Sequence, residues 1–160
     1  MDRRTADAVV KCLEIDVDFY RELTVFLMKK HTKIMQDDLE WLTDSLNDEQ
    51  AYLMKSRSLE DKRLALFKGL GIADKKVSEL AADAPEDYRP KIKMLAGQLT
   101  ELVNNIAEIN AETTEIVKRK LDSEKAIVDQ TGIVNKPETY NRHASKVAGG
   151  QSAAKAFRNI

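Results

Sequence analysis

Residues 92–117 read IKMLAGQLTELVNNIAEINAETTEIV, and apolar positions recur along this stretch at alternating intervals of three and four residues. Such a spacing averages about 3.5 residues, keeps every apolar position on one side of an α-helix and is typical of coiled coils. The sequence therefore predicts a helix that packs lengthwise against other helices. The positions of this seam are Ile92, Leu95, Leu99, Leu102, Ile106, Ile109, Thr113 and Ile116.

The predicted helix continues beyond the seam. Neither glycine nor proline occurs from residue 98 to residue 131, so we expect one helix over residues 91–131. At about 1.5 Å per residue this helix would be roughly 60 Å long, which requires an elongated fold. The next seam position would be Lys120, but the apolar stripe shifts by one position and runs on through Val117, Leu121 and Val128.

Glycines and prolines also divide the rest of the chain. Residues 1–68 contain neither type and predict one long helix over about 5–68, with a bend or short break near Lys30–Lys33 left open. Apolar residues on two faces of the first part of this helix indicate that it is packed from two sides. A further short helix is predicted over about 74–84, before Pro85.

These elements predict an all-α fold, namely an elongated antiparallel helical bundle or coiled coil of two or three long helices with a flexible C-terminal tail. Residues 1–131 would form the bundle, with a net charge of −5, and residues 132–160 a basic tail with a net charge of +4. The tail is poor in apolar residues, so burial would not offset the entropy lost on ordering it. This charge asymmetry favours an interaction role for the tail.

The composition narrows the class of protein. Charged residues make up 33% of the 160 residues while the net charge is −1, so nucleic acid is not an expected partner. Cys12 is the only cysteine, which excludes an internal disulfide and favours a reducing compartment. No stretch approaches the ~18 apolar residues that a membrane span needs. We expect a cytoplasmic protein without stable membrane insertion.

The sequence contains no pattern that indicates a catalytic, metal or cofactor site. Its two histidines, His31 and His143, lie in different segments and outside any Glu-x-x-His or His-x-x-His arrangement. His31 lies among lysines and is interpreted as a surface residue. The pair Gly69 and Gly71 lacks the third glycine of a phosphate-binding loop. We therefore predict no enzymatic activity and no cofactor.

The seam itself is the remaining candidate for function. Its residues could simply hold the bundle together, which is where such stripes normally lie. Its C-terminal half could instead receive a partner helix, because Thr113 interrupts the seam and the shorter middle helix offers no apolar stripe of matching length. The candidate partner-binding residues of this half are Ile116, Val117, Leu121, Ile127 and Val128.

Three local features resemble the FlgN family of flagellar export chaperones. Residues 59–64, LEDKRL, followed by Leu70-Gly71, resemble the family's Leu-Glu-x-x-Arg end of the first long helix. Residues 104–121 are similar to its asparagine-bearing last helix, and residues 139–142, TYNR, to the tyrosine-containing start of its tail. The resemblance spans roughly residues 15–145 and adds Tyr140 to the candidate partner-binding residues.

This resemblance implies a cytoplasmic chaperone of the flagellar type III secretion pathway. Such chaperones bind the C-terminal helical regions of the hook–filament junction proteins FlgK and FlgL, prevent their premature association and deliver them to the export gate. One alternative remains open on the residues alone. A structural coiled-coil protein would use the same seam to self-associate.

Overall fold

A computed structural model describes residues 1–131, and all of the regular structure in this range is helical. The predicted all-α bundle is thus confirmed, and the predicted tail, residues 132–160, lies outside the described residues. The helices are α1 (Arg3–Met35), α2 (Leu39–Asp44), α3 (Leu46–Gly69), α4 (Val77–Asp83) and α5 (Arg89–Thr131).

The three long helices run up, down and up. Helix α5 is parallel to α1, since Arg21 contacts Gln98 at 3.2 Å and His31 contacts Thr113 at 2.9 Å. Helix α3 is antiparallel to α1, because Lys30 and Asp16 of α1 pair with Glu49 and Arg63 of α3 in the reverse order. We call the end of the bundle at which α1 finishes the distal end, and the opposite end the proximal end.

Aspartates mark the ends of α1. The Asp2 carboxylate accepts a hydrogen bond from the Thr5 backbone N–H at 2.7 Å and so satisfies a donor that the first turn leaves free. After Met35, Asp37 adopts a left-handed φ of 55°, which Asp tolerates better than most residues. The Asp38 carboxylate then accepts from the Trp41 N–H at 3.1 Å and starts α2.

The structure therefore has three helices where the sequence predicted one over about 5–68, with breaks at residues 36–38 and at Ser45 rather than near Lys30–Lys33. One straight helix of that length could not bring its two halves together, whereas the turn lets α3 return along α1. The remaining helices begin at Val77 and Arg89, where about 74 and 91 were predicted.

The apolar core lies mainly between α1 and α5, which share the most extensive contact of the fold. Helix α1 also contacts α3, and its predicted packing from two sides is confirmed. Buried residues of α1 extend to Ile34, whereas those of α5 end at Ile106. The seam is thus buried through its first half, where Ile92, Leu99 and Ile106 are almost fully inaccessible to solvent.

An ion pair crosses the interior between α1 and α3. The Arg63 guanidinium donates to the Asp16 carboxylate, with Nη1 and Oδ2 2.6 Å apart, and the Asp16 side chain is only 1% exposed. Burial raises the pKa of the Asp16 carboxyl above its ordinary value, while the charge and hydrogen bond of Arg63 act in the opposite direction. The pair fixes how α3 lies against α1, because neither charge tolerates burial alone.

We expect Asp16→Ala to lower the free energy of unfolding by about 3–5 kcal/mol, because it leaves the buried Arg63 charge without a partner. Denaturant unfolding followed by circular dichroism measures this change. As a matched control, Glu22→Ala removes the solvent-exposed pair with Lys55 and should cost no more than about 1 kcal/mol. Equal losses in the two variants would show that the buried pair does not hold α1 and α3 together.

Candidate helix-binding groove

Helix α5 extends beyond the end of α1. Near the end of α1, an ion pair joins Lys120 Nζ of α5 to Oδ1 of Asp37, which follows α1, at 2.5 Å. Every residue from 121 to 131 is exposed, a stretch of about 16 Å at the helical rise. The distal end of α5 is therefore an apolar-bearing helix without a neighbour among the described residues.

The contact between α1 and α5 changes character before α1 ends. At intervals of seven, the seam positions Ile92, Leu99 and Ile106 give way to Thr113 and Lys120. The Thr113 hydroxyl contacts His31 Nδ1 at 2.9 Å, and Lys120 pairs with Asp37. Hydrogen bonds and exposed ion pairs contribute little net stability compared with buried leucine or isoleucine. The distal half of this contact is therefore held less tightly than the proximal half.

The flank of α1 beside α5 changes in the opposite direction, from polar pairs to apolar side chains. Glu14 pairs with Lys91 at 2.6 Å, and Arg21 contacts Gln98, so polar pairs close the proximal half of the interface. The residues at the next two intervals of seven are Met28 and Met35, and each is 56% exposed. Flanks of coiled coils usually carry charged residues. Methionine is instead common at binding surfaces, because its flexible thioether fits varied apolar shapes.

An open groove of about 650 Å³ lies between the two helices at the distal end. Its surface is mainly apolar, with His31 and Met35 on the α1 side and Ile116 on the α5 side. Charged side chains of α5 line the same groove: Glu112, Glu115, Arg119 and Lys120. A groove of this kind can take the apolar face of an amphipathic helix, with the charges left at its edge.

The structure divides the predicted partner-binding residues between two faces of α5. Ile116 is half-buried and lines the groove, and Ile127 lies three turns further along the same face. The second face continues at a rotation of about 100° from the first and carries Val117, Leu121 and Val128. Leu121 and Ile127 are each 60% exposed. Tyr140 lies outside the described residues.

Sequence reasoning missed the α1 side of the groove. His31, interpreted from the sequence as a surface residue, is half-buried and bonded to Thr113. Met28 and Met35 were not among the candidate residues. Their seven-residue spacing is visible in the sequence, but its meaning depends on knowing that Glu14 and Arg21 of the same series face α5.

Within residues 1–131, no three His, Cys, Asp or Glu side chains are grouped so that they could hold a metal ion. None of the described helices combines the length and the apolar character that crossing a bilayer requires.

Comparison with known proteins identifies the family of this chain. Neither the curated proteins nor the solved structures gave a match to this chain. The family model described as FlgN protein matches residues 1–147, which is most of the 160-residue chain. The predicted resemblance is thereby confirmed, and the chain belongs to the FlgN family of flagellar export chaperones.

Proposed function

We propose that this protein is a cytoplasmic chaperone that holds the C-terminal helical region of a hook–filament junction protein of the FlgK or FlgL type. In this proposal the client helix lies along the distal end of α5, in the groove and on the exposed faces that continue from it. Binding keeps the client from associating prematurely, and release delivers it to the flagellar type III export gate.

The observation that carries the proposal is that no other residue of the described range 1–131 covers the distal end of α5. Leu121, Ile127 and Val128 are exposed there, although they continue the apolar stripe that is buried in the proximal half of the same helix. Exposed apolar residues grouped at one end of a molecule are typical of an interaction site. The membership in the FlgN family supports the identity of the occupant as a flagellar export substrate.

The chemistry of the groove suits a client that must be released. An isolated amphipathic terminus would aggregate through its apolar face, and a helical groove covers that face reversibly. Delivery requires moderate affinity, and a Kd near 1 μM corresponds to about 8 kcal/mol. Burying three or four aliphatic side chains at about 1.5–3 kcal/mol each contributes roughly 5–12 kcal/mol before the cost of association is subtracted, which favours moderate rather than very tight binding.

We expect Leu121→Asp combined with Ile127→Asp to weaken binding of a client C-terminal peptide at least about 100-fold, since each substitution removes a buried apolar contact worth about 1.5–3 kcal/mol. Isothermal titration calorimetry measures the affinity, and circular dichroism checks that helicity is unchanged. Leu64→Asp is the matched control, because Leu64 is 51% exposed but lies on α3 in the proximal half. Unchanged binding by the double variant would remove α5 from the client site.

The methionine flank gives a separate prediction. Met28→Glu combined with Met35→Glu should weaken the same peptide about tenfold or more, because charges would replace Met35 in the groove and Met28 on the same flank of α1. Met94→Glu is the control, since Met94 is comparably exposed but lies near the start of α5. Full affinity in the Met28 and Met35 variant, measured in the same titration, would limit the client to α5 alone.

Self-association through the same surface is the alternative function, and sedimentation distinguishes it. A structural coiled-coil protein would form a dimer that strengthens with concentration and is lost in the Leu121 and Ile127 variant. A chaperone that keeps its surface free for a client is expected to sediment as a monomer at micromolar concentration and to form a stoichiometric complex when the peptide is added.

A further inference from the structure

The charges of α5 are separated along its axis at the groove. Between residues 94 and 117 the helix carries four glutamates and no lysine or arginine, and residues 118–120 are then Lys-Arg-Lys. Residues on both sides of this change from acidic to basic line the groove. Glu112 and Glu115 lie before it, and Arg119 and Lys120 lie after it. Glu112 and Arg119 are seven residues apart, about 10 Å along the helix.

The α1 side of the groove adds no comparable charge. The groove residues from this side are His31 and Met35. The nearby lysines of α1 are engaged elsewhere. Lys29 lies over the Trp41 ring, Lys30 pairs with Glu49 of α3 and Lys33 pairs with Asp38. The charge pattern that an occupant meets therefore comes from α5.

The ion pairs that Arg119 and Lys120 already make leave both side chains able to pair with a bound helix. Arg119 pairs with Glu115 within the same helix at 3.6 Å, and both side chains are largely exposed. Lys120 pairs with Asp37, which is also exposed. Exposed pairs of this kind contribute little, so an approaching helix can replace them without a large loss.

We infer that the groove selects amphipathic helices whose flank carries basic residues opposite Glu112 and Glu115 and acidic residues opposite Arg119 and Lys120. This inference rests on the proposed function, which it extends from the class of client to its charge pattern. Apolar contacts alone would allow a bound helix to slide by one turn, whereas two charge pairs of opposite sign about 10 Å apart define one register.

Three designed peptides test the inference against the full chain. All share one apolar stripe, and their flanks are basic then acidic, entirely basic or entirely acidic over two turns. At low ionic strength the mixed flank should bind about fivefold more tightly than either uniform flank, and added salt should reduce this difference. Equal binding of the three peptides would overturn the inference.

A charge reversal in the protein provides the second test. Arg119→Glu combined with Lys120→Glu makes the α5 side uniformly acidic, so the preference should move to the entirely basic peptide. The control is Arg57→Glu with Lys62→Glu, which changes the net charge equally at two exposed positions of α3. A preference that stays with the mixed peptide in the groove variant, or that moves equally in the control, would contradict selection by the groove.

Binding of the client peptide and binding of the designed peptides together distinguish a failure of this inference from a failure of the proposed function. If the client peptide binds and depends on Ile127 while the designed peptides show no charge preference, the client site stands and selection by charge is wrong. If neither the client peptide nor any designed peptide binds, both are wrong.

Discussion

The contact between the parallel helices α1 and α5 is the constraint on which the rest of the structure depends. It is apolar where Ile92, Leu99 and Ile106 are buried, and polar where His31 meets Thr113 and Lys120 meets Asp37. Because α5 has 43 residues and α1 has 33, the contact also ends before α5 does. The proximal half thus supplies stability, and the distal half supplies a surface.

The buried pair of Asp16 and Arg63 complements this division. It orients the returning helix α3 against α1 in the proximal half. Helices α2 and α3 also contact the last turns of α1, whereas none of the described residues covers residues 121–131 of α5. The groove between α1 and α5 has His31 and Met35 on one side and Ile116 among charged residues on the other, and it lies beyond the last buried residue of α5.

Periodicity predicted the long last helix, its seam and the all-α fold, because apolar residues spaced three and four apart lie on one face of an α-helix. It did not predict the break at residues 36–38, since Asp37 and Asp38 also suit an exposed helix face and only the return of α3 makes the turn necessary. The candidate residues on α5 followed from the shift of the stripe at Val117. The positions of Met28 and Met35 beside α5 depend on the register between α1 and α5. These helices are far apart in the sequence, so no local pattern encodes that register.

The central claim is that the distal end of α5 is helical and uncovered in the free protein. Amide hydrogen exchange measures this directly, at a concentration where the protein sediments as a monomer. The account predicts strong protection over residues 92–106, weak protection over residues 121–131, and a marked gain of protection in the second range when a client helix is added. Strong protection of residues 121–131 in the free monomer would contradict it, because their apolar side chains would then already be covered.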